Sequence, residues 1–254
     1  MTGLPRRILA VLALIVAVPA AHGEPLTVAV ASNFRLPAAE IAERYTAETG
    51  QDVRLSPGST GKLYAQIVNG APYDVFLAAD RRRPALLEEA GRTMPGSRRT
   101  YAVGRLVLWS RNPEFADADC RARLADPAAG RLAIANPEIA PYGSAARQFL
   151  VAAGLWQQVE SRVVYGESIA QALAFAATGN ASFGLIAQAQ ARDPRLPPAT
   201  CHWLVPAALH EPIAQDAVAL QRDGVHPAAA GFVAFLGGSV AAGIIERYGY
   251  EAPR

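Results

Sequence analysis

The chain has 254 residues, of which 24 are basic and 22 are acidic, and it contains two cysteines. This length exceeds what one hydrophobic core usually serves, so the sequence predicts one large domain or two smaller ones. Without the first 23 residues, which carry two arginines, 22 basic residues (24 − 2) face 22 acidic ones. A neutral chain gives no reason to expect nucleic acid or an anionic membrane as a partner.

The N-terminal segment has the pattern of a secretory signal peptide. Two arginines precede an uninterrupted apolar run from Ile8 to Val18, and Ala21-His22-Gly23 places small residues at the two positions that a signal peptidase reads. The run is too short to span a membrane. We therefore predict that residues 1–23 are a signal peptide and that the exported chain begins at Glu24.

Apolar strands and helices alternate along the rest of the chain. Strands are predicted at Leu26–Ala31, Val53–Leu55, Asp74–Ala79, Tyr101–Ser110, Leu132–Ala135, Val163–Tyr165, Phe183–Ala187 and Ala217–Gln221. Helices are predicted near Ala38–Thr49, Lys62–Asn69, Pro84–Ala90, Ser144–Ala153, Ile169–Thr178, Pro227–Leu236 and Val240–Tyr248. This alternation is typical of an α/β protein with parallel sheets and helices on both faces.

Four turns share one chemistry, because each follows a strand and leads into a helix through hydroxyl, amide or glycine residues. Such turns present N–H groups and hydroxyls at the positive end of a helix, where oxyanions bind. Since ligands of open α/β sheets lie at the carboxyl ends of the strands, we expect the turns to converge on one crevice. With the signal peptide, they predict a secreted receptor for a small inorganic anion. The turns are Ser32-Asn33, Ser59-Thr60-Gly61, Tyr142-Gly143-Ser144 and Ser168-Ile169-Ala170.

Each turn also has an ordinary structural explanation. Asn33 is a good helix cap, and Thr60 can cap a helix that starts at Gly61. Pro141 lacks an N–H, which leaves the N–H groups of Tyr142 and Gly143 free, but this segment is equally compatible with a plain turn. A phosphate-binding P-loop is excluded because Ser56 and Leu63 occupy its required glycine and hydroxyl positions.

Enzyme and metal chemistry are weaker alternatives. The turn around Ser168 approximates the nucleophile elbow of a serine hydrolase, with alanine in place of the final glycine, and His202, His210 and His226 follow it. No CxxC or HxxxH spacing is present, so we expect no cofactor and no metal coordinated by the protein.

The two cysteines, Cys120 and Cys201, are a candidate disulfide, because paired cysteines in an exported protein are more often bonded than reactive. The bond would close a loop of about 80 residues and contribute about 4 kcal/mol in the loop-entropy model. The alternative is two free, buried thiols.

Several segments, in this order, resemble the periplasmic molybdate-binding proteins of ABC importers. The resemblance runs over nearly the whole exported chain, through to Tyr248-Gly249-Tyr250. The segments are Leu26–Phe34 (LTVAVASNF), Ser56–Ala71 (SPGSTGKLYAQIVNGA), Pro72–Asp80 (PYDVFLAAD), Leu106–Ser110 (LVLWS) and Ile134–Gly143 (IANPEIAPYG).

The resemblance implies a two-lobed type II periplasmic-binding fold with mixed, mostly parallel sheets and a hinge of two crossover strands. It places lobe 1 at residues 24–104 and 207–254 and lobe 2 at residues 105–206. It also implies a periplasmic, monomeric receptor without catalytic activity that binds molybdate and tungstate and delivers them to a membrane permease. The same fold with sulfate, thiosulfate, a cation or an organic solute as ligand remains an alternative.

Carried over by position, the resemblance implies that the oxyanion is held by hydroxyls and backbone amides without a counter-charge. Many members have a tyrosine hydroxyl in the cleft where this chain has Ala187, so we expect Asn33 to supply the missing donor. The implied ligands are Ser32, Asn33, Thr60, Tyr142 and Ile169, and the additional candidates are Ser59, Gly143 and Ser168.

Overall fold

The computed structural model describes residues 24–116, 119–222 and 224–253. The predicted signal peptide lies outside these residues. The described strands are β1 (Leu26–Ala31), β2 (Val53–Gly58), β3 (Val75–Leu77), β4 (Arg99–Gly104), β5 (Leu106–Ser110), β6 (Leu132–Ala135), β7 (Val163–Gly166), β8 (Phe183–Ala187), β9 (Cys201–Leu204) and β10 (Ile213–Ala219). The α-helices are α1 (Arg35–Thr49), α2 (Thr60–Val68), α3 (Arg82–Glu89), α4 (Cys120–Ala125), α5 (Pro141–Ala152), α6 (Trp156–Val159), α7 (Ile169–Thr178), α8 (Gln188–Ala191), α9 (Ala229–Phe235) and α10 (Ser239–Arg247).

Lobe 1 is built on a five-stranded sheet of order β2-β1-β3-β10-β4. Side chains of β1 alternate between its two faces. Val28 and Val30 belong to the core that α1, α9 and α10 cover, while Ala29 belongs to the core under α2 and α3. The period of two that a strand imposes therefore explains why β1 is apolar throughout: both of its faces are buried.

Lobe 2 is built on a second five-stranded sheet of order β7-β6-β8-β5-β9. Both faces of strand β5 in this sheet are buried as well. Leu106 and Leu108 of β5 belong to the main core, which includes side chains of α5, whereas Val107 and Trp109 pack with Ala176 of α7. Each lobe is thus a sheet between two helical layers.

The chain crosses between the two sheets twice. The first crossover is the single residue Arg105, between β4 and β5, and the second is the segment 205–212, between β9 and β10. The prediction of one strand over Tyr101–Ser110 is therefore wrong, because its two halves pair with different sheets. The two adjacent crossovers form the connection between the lobes.

The sheets are mixed, and half of the strand pairings are antiparallel. Pairings among β1, β2 and β3 and among β6, β7 and β8 are parallel, as the alternation of strands and helices predicts. The strands that flank the crossovers, β4, β5, β9 and β10, pair antiparallel with their neighbours. The crossovers explain this difference, since a chain that returns from the other lobe need not form a βαβ unit.

Several element boundaries differ from the sequence predictions. Strand β10 begins at Ile213 rather than Ala217, and α5 begins at Pro141 rather than Ser144, since proline suits the first turn of a helix. The elements α4, α6, α8 and β9 carry too little periodicity to be predicted.

A disulfide joins Cys120, the first residue of α4, to Cys201, the first residue of β9, with their Cα atoms 5.6 Å apart. Both residues are buried in the main core of lobe 2. The bond therefore ties α4 to the sheet within one lobe and does not cross the cleft.

Candidate functional site

One cavity lies between the lobes, at the carboxyl ends of β1 and β2, and residues from all four turns line it. Its volume is about 10 Å³, whereas the neighbouring space between the lobes measures about 750 Å³. Pockets for drug-sized molecules are about 300–1,000 Å³, so the smaller cavity is too small for an organic solute of that size. Its lining residues are Ala31, Ser32, Asn33, Gly58, Ser59, Thr60, Ala79, Ala140, Pro141, Tyr142 and Ile169.

Three α-helices begin at this cavity. Thr60, Pro141 and Ile169 are the first residues of α2, α5 and α7, and in these described first turns there is no acidic side chain. Helix N-termini carry partial positive charge and unpaired N–H groups, and three of them together attract an anion. The lining residues include no Asp, Glu, Lys, Arg or His, so the groups that face the cavity attract an anion through backbone dipoles and hydroxyls rather than through a formal charge.

The hydroxyls of Ser32 and Ser59 are buried and unsatisfied. Neither Oγ atom has a hydrogen-bond partner among the described residues, and the two side chains are 8% and 4% exposed. Ser59 occupies the N-cap position of α2, yet its side chain makes no cap hydrogen bond. A buried hydroxyl without a partner costs about 1–3 kcal/mol, and an anion in the cavity would remove this cost by accepting both protons.

The Thr60 hydroxyl is arranged to donate into the cavity. Its Oγ1 accepts a hydrogen bond from the N–H of Ala79 at 3.1 Å, which leaves its proton available for a ligand. Because α2 begins at Thr60, the N-cap is Ser59, and the prediction that Thr60 caps a helix starting at Gly61 is wrong by one residue. The N–H of Gly61 is not available, since it donates to the carbonyl of Ile139 at 2.8 Å.

The Asn33 side chain lines the cavity, but its amide protons are used elsewhere. Nδ2 donates to Oε1 of Gln215 at 2.8 Å and to the hydroxyl of Tyr250 at 3.1 Å. Tyr250 in turn donates to the carbonyl of Asn33 at 2.9 Å. A carboxamide has two N–H bonds, so this one has no further proton for a ligand. The expectation that the Asn33 side chain replaces a missing donor is therefore wrong.

Tyr142 and Gly143 differ in their backbone availability. The Gly143 N–H donates to the carbonyl of Ala140 at 2.9 Å, so the expectation that it is free is wrong. A Cβ atom at Gly143 would lie 2.2 Å from the carbonyl oxygen of Ala135, which explains the glycine by packing. The Tyr142 N–H has no acceptor in the described part of the chain and lies in the second position of α5. This N–H remains a candidate donor.

Of the two neighbours Ile169 and Ser168, only Ile169 lines the cavity. Ile169 lines the cavity as the first residue of α7, whereas Ser168 is the N-cap, and its Oγ accepts the N–H of Gln171 at 3.3 Å. The Ser168 hydroxyl has no hydrogen bond to a histidine among the residues described. The rings of His210 and His226 instead contact the carbonyls of Glu211 and Glu24. This geometry does not assemble the triad that a hydrolase needs.

Three buried tyrosines near the cavity are held neutral. Burial raises the pKa of Tyr101, Tyr142 and Tyr250 well above the usual value for a phenol. For Tyr101 and Tyr142, the negative charge that a neighbouring Tyr250 phenolate would carry raises the pKa further. The surroundings of the cavity therefore carry no tyrosinate near neutral pH.

The two lobes are in contact across the cleft. Besides the hydrogen bond between Gly61 and Ile139, Lys62 Nζ of lobe 1 lies 2.6 Å from Glu167 Oε2 of lobe 2. Arg83 Nη2 donates to the carbonyl of Glu138 at 3.2 Å. These contacts describe a closed form, in which the two lobes meet beside the cavity.

The described residues hold no group of three or more His, Cys, Asp or Glu side chains arranged to bind a metal ion. In the same residues no single helix is long and apolar enough to cross a membrane, although the bent pair α9 and α10 meets that test when taken together.

The sequence interpretation missed a polar network behind the cavity. Gln215 of β10 is completely buried, and its Oε1 accepts from Asn33. The Tyr101 hydroxyl shares its proton between this oxygen, at 3.1 Å, and the carbonyl of Ala78, at 3.0 Å. The signal was a glutamine inside the apolar segment IAQDAVA, which only a buried partner can satisfy. Ala187 is buried at the end of β8 and is not a cavity-lining residue.

Two lobes joined by two crossovers, with a neutral cavity of hydrogen-bond donors between them, define a receptor that closes on a small solute. A family model described as bacterial extracellular solute-binding protein matches residues 26–251, and the chain belongs to this family.

Relatives named as molybdate-binding proteins match about nine-tenths of the chain. The chain is 48% identical over 232 residues to the molybdate-binding protein ModA of Azotobacter vinelandii, covering 91% of each chain. It is 43% identical over 234 residues to ModA of Rhodobacter capsulatus, covering 92% of this chain and 90% of the relative. The solved structure of the A. vinelandii periplasmic molybdate-binding protein superposes with a TM-score of 0.83 at 39% identity, over 90% of this chain and 100% of that one.

Proposed function

We propose that this protein is a periplasmic receptor that binds molybdate and tungstate and delivers them to an ABC importer. The observation that carries the proposal is the pair of unsatisfied hydroxyls of Ser32 and Ser59 in a neutral cavity where three helices begin. The two relatives named as molybdate-binding proteins, at 48% and 43% identity, support the choice of ligand. The receptor acts as a monomer and performs no covalent chemistry.

The proposed ligand set consists of donors only. Ser32, Ser59 and Thr60 donate through their hydroxyls, and Tyr142 and Ile169 donate through their backbone N–H groups. Asn33 contributes part of the cavity wall and its backbone. Its carboxamide does not donate to the anion, because both of its N–H bonds are used by Gln215 and Tyr250. Gly143 and Ser168 fall outside the set. A hydrogen bond to a charged group contributes about 1.5–3 kcal/mol, so five of them suffice for tight binding after the cost of ordering.

The composition of the cavity explains how anions are separated. A site in which every group donates to the anion has no acceptor left for the proton of hydrogen phosphate, so it favours fully deprotonated dianions. Molybdate, tungstate and sulfate carry the same charge, and their separation rests on cavity size. Sulfate and thiosulfate are the second candidate ligands, because they carry the same charge and accept from the same donor set.

Closure of the two lobes around the anion is part of the proposed mechanism. The ligand set draws Ser32, Ser59 and Thr60 from lobe 1 and Tyr142 and Ile169 from lobe 2, so the set is complete only when the lobes meet. We place the lobe boundaries at residues 24–104 with 207–254 and at 105–206, a division that the sheet membership of the strands supports. An anion that binds the closed form preferentially shifts the equilibrium toward it, and the permease recognises that form.

The test is isothermal titration of the exported protein with molybdate, tungstate, sulfate and phosphate at neutral pH. The proposal predicts one-to-one binding of the first two anions and no heat from the last two. Tight binding of sulfate with weak molybdate binding would reassign the ligand while keeping the donor-only site. No binding of any of the four would overturn the proposal.

A further inference from the structure

The backbone and the side chain of Tyr142 lie in different parts of the molecule. Its backbone lies at the anion cavity, whereas its phenol extends toward lobe 1 and lies against the hinge. A Cβ atom placed on Gly104, the last residue of β4, would be 2.1 Å from the Tyr142 hydroxyl oxygen and 2.8 Å from Nε2 of Gln215. The phenol therefore occupies space that only a glycine leaves open. We call Gly104 and Gln215 the phenol socket.

The socket is rigid because Gln215 has a fixed orientation. Its Oε1 accepts from Asn33 Nδ2 at 2.8 Å and shares the Tyr101 hydroxyl proton, at 3.1 Å, with the carbonyl of Ala78, at 3.0 Å, so Nε2 faces Tyr142. That nitrogen donates to the Tyr142 hydroxyl at 3.4 Å. Both side chains are almost completely buried, and the backbone register of β10 shifts directly after Gln215. Nε2 of Gln215 therefore offers its hydrogen bond to the Tyr142 hydroxyl of lobe 2 from a fixed position.

We propose that the Tyr142 phenol is a positioning group that stabilises the closed form by entering the phenol socket, and that it does not itself bind the anion. The inference rests on the proposed anion-binding function. When the phenol is seated, α5 is held against lobe 1 and the Tyr142 N–H is held at the cavity. When the lobes separate, the phenol leaves the socket and the donor set is incomplete.

This role predicts a characteristic pattern in the binding constants. The apparent affinity of a receptor scales with the fraction of molecules in the binding-competent form. A weaker phenol contact lowers that fraction for every anion alike and leaves cavity size and donors unchanged. Molybdate and tungstate therefore lose affinity by the same factor. A phenol that bound the anion directly would also weaken both, but it would leave the fraction of closed molecules in the anion-free protein unchanged.

The chain provides its own reporter of closure. Lys62 is the single lysine of the sequence, and in the closed form its ammonium group pairs with Glu167 across the cleft. The Lys62 side chain is 50% exposed in this form, so its acetylation, followed by mass spectrometry of the peptide that carries it, compares how often the ion pair opens in different variants. An anion that closes the protein slows this reaction.

The experiment compares wild type, Tyr142→Phe and Gly104→Ala with the control Tyr45→Phe. Tyr45 is a buried tyrosine of α1 whose hydroxyl donates to the carbonyl of Ala228 at 3.3 Å, within lobe 1. We expect Tyr142→Phe to weaken molybdate and tungstate binding equally, by about 3- to 10-fold, the range for one neutral hydrogen bond. Gly104→Ala should have a larger effect, and Tyr45→Phe none. Lys62 acetylation at a fixed, subsaturating molybdate concentration should be faster in the first two variants.

Unchanged affinity and unchanged acetylation in Tyr142→Phe would overturn the inference, and so would a change in the molybdate-to-tungstate ratio. If Gly104→Ala does not fold, Tyr142→Phe decides alone. If the wild type binds none of the anions, the proposed function fails, and Lys62 acetylation in the anion-free proteins decides the phenol contact. Faster reaction in Tyr142→Phe than in wild type would support the contact, and equal rates would overturn it.

Discussion

The N–H of Gly61, in the first turn of α2, donates to the carbonyl of Ile139 on the opposite lobe at 2.8 Å. This hydrogen bond joins the two walls of the cleft beside Thr60 and exists only in the closed form. No side chain fits between the two residues, because a Cβ atom on Gly61 would lie 2.9 Å from the Ile139 oxygen and 3.0 Å from its Cα. A glycine at position 61 is therefore a requirement of closure rather than of helix formation.

Replacing Gly61 by alanine should weaken anion binding without unfolding either lobe. The added methyl group opposes the closed form, and we expect at least about a tenfold loss of affinity, or about 1.4 kcal/mol. Calorimetric titration with molybdate measures it. The matched control is Gly243→Ala in α10, where a Cβ atom meets nothing within 4 Å and affinity should not change. Equal affinities for the two variants would show that the lobes do not need this contact.

Substitution of Ser32 or Ser59 by alanine should have opposite effects on binding and on stability. Each hydroxyl is buried and has no hydrogen-bond partner among the described residues, so its removal relieves a desolvation cost in the anion-free protein. We expect each variant to lose about 1.5–3 kcal/mol of anion binding while its free energy of unfolding stays the same or rises. Titration and urea unfolding measure the two quantities.

Ser168→Ala serves as the comparison, because its hydroxyl caps α7 and does not line the cavity. It should lower the free energy of unfolding by about 1 kcal/mol and leave affinity unchanged. A loss of stability in Ser32→Ala and Ser59→Ala together with unchanged binding would make these hydroxyls structural and remove them from the site.

Removal of the disulfide should affect stability and not affinity. Cys120 and Cys201 are separated by 81 positions, and their bond lies entirely within lobe 2. The double substitution to serine should lower the free energy of unfolding by about 4 kcal/mol, by releasing the loop in the unfolded chain. Chemical denaturation followed by circular dichroism tests this, and molybdate titration below the transition serves as the control. A large loss of affinity would connect α4 and β9 to the site.

Stability should fall as the pH rises above about 10, the pKa of a free tyrosine. Burial raises the pKa of Tyr101, Tyr142 and Tyr250 in the folded protein, so the unfolded chain releases these protons first. Folded protein then binds more protons than unfolded protein, and each such tyrosine lowers the free energy of unfolding by about 1.4 kcal/mol per pH unit.

Urea unfolding between pH 8 and 11 measures this slope. Tyr101→Phe should reduce it, whereas Tyr165→Phe, which alters a side chain that is 49% exposed, should leave it unchanged. Stability that is constant up to pH 11 would contradict the burial of these phenols.

The sequence predicts the elements whose residues satisfy local rules. The bounds of β1, β6, β8 and α7 agree with their predictions, because each is a compact apolar run or a periodic segment between turn residues. The hinge could not be predicted in this way. Arg105 is a single polar residue within an apolar run, which is too weak a signal to divide one strand into two. The assignment of β4 and β5 to different sheets depends on strands far away in the chain.

The location of the site could be predicted from local sequence, but the role of each residue in it could not. Turns that join a strand to a helix identify the cavity, because helix N-termini bind anions wherever they converge. The use of each donor was not predictable. Asn33 and Gly143 have the right chemistry, but Gln215 and Ala140 occupy their protons, and these partners are fixed by tertiary packing. A polar residue becomes a ligand only if the fold leaves it without another partner.

Binding of molybdate between the lobes is tested by a crystal structure grown with molybdate and measured at the molybdenum absorption edge. We expect one anomalous peak per molecule, in the cavity between the lobes, with ligand oxygens about 2.5–3.0 Å from Oγ of Ser32 and Ser59. A peak elsewhere on the protein, or a cavity without molybdenum in crystals that contain it, would show that the anion does not bind there.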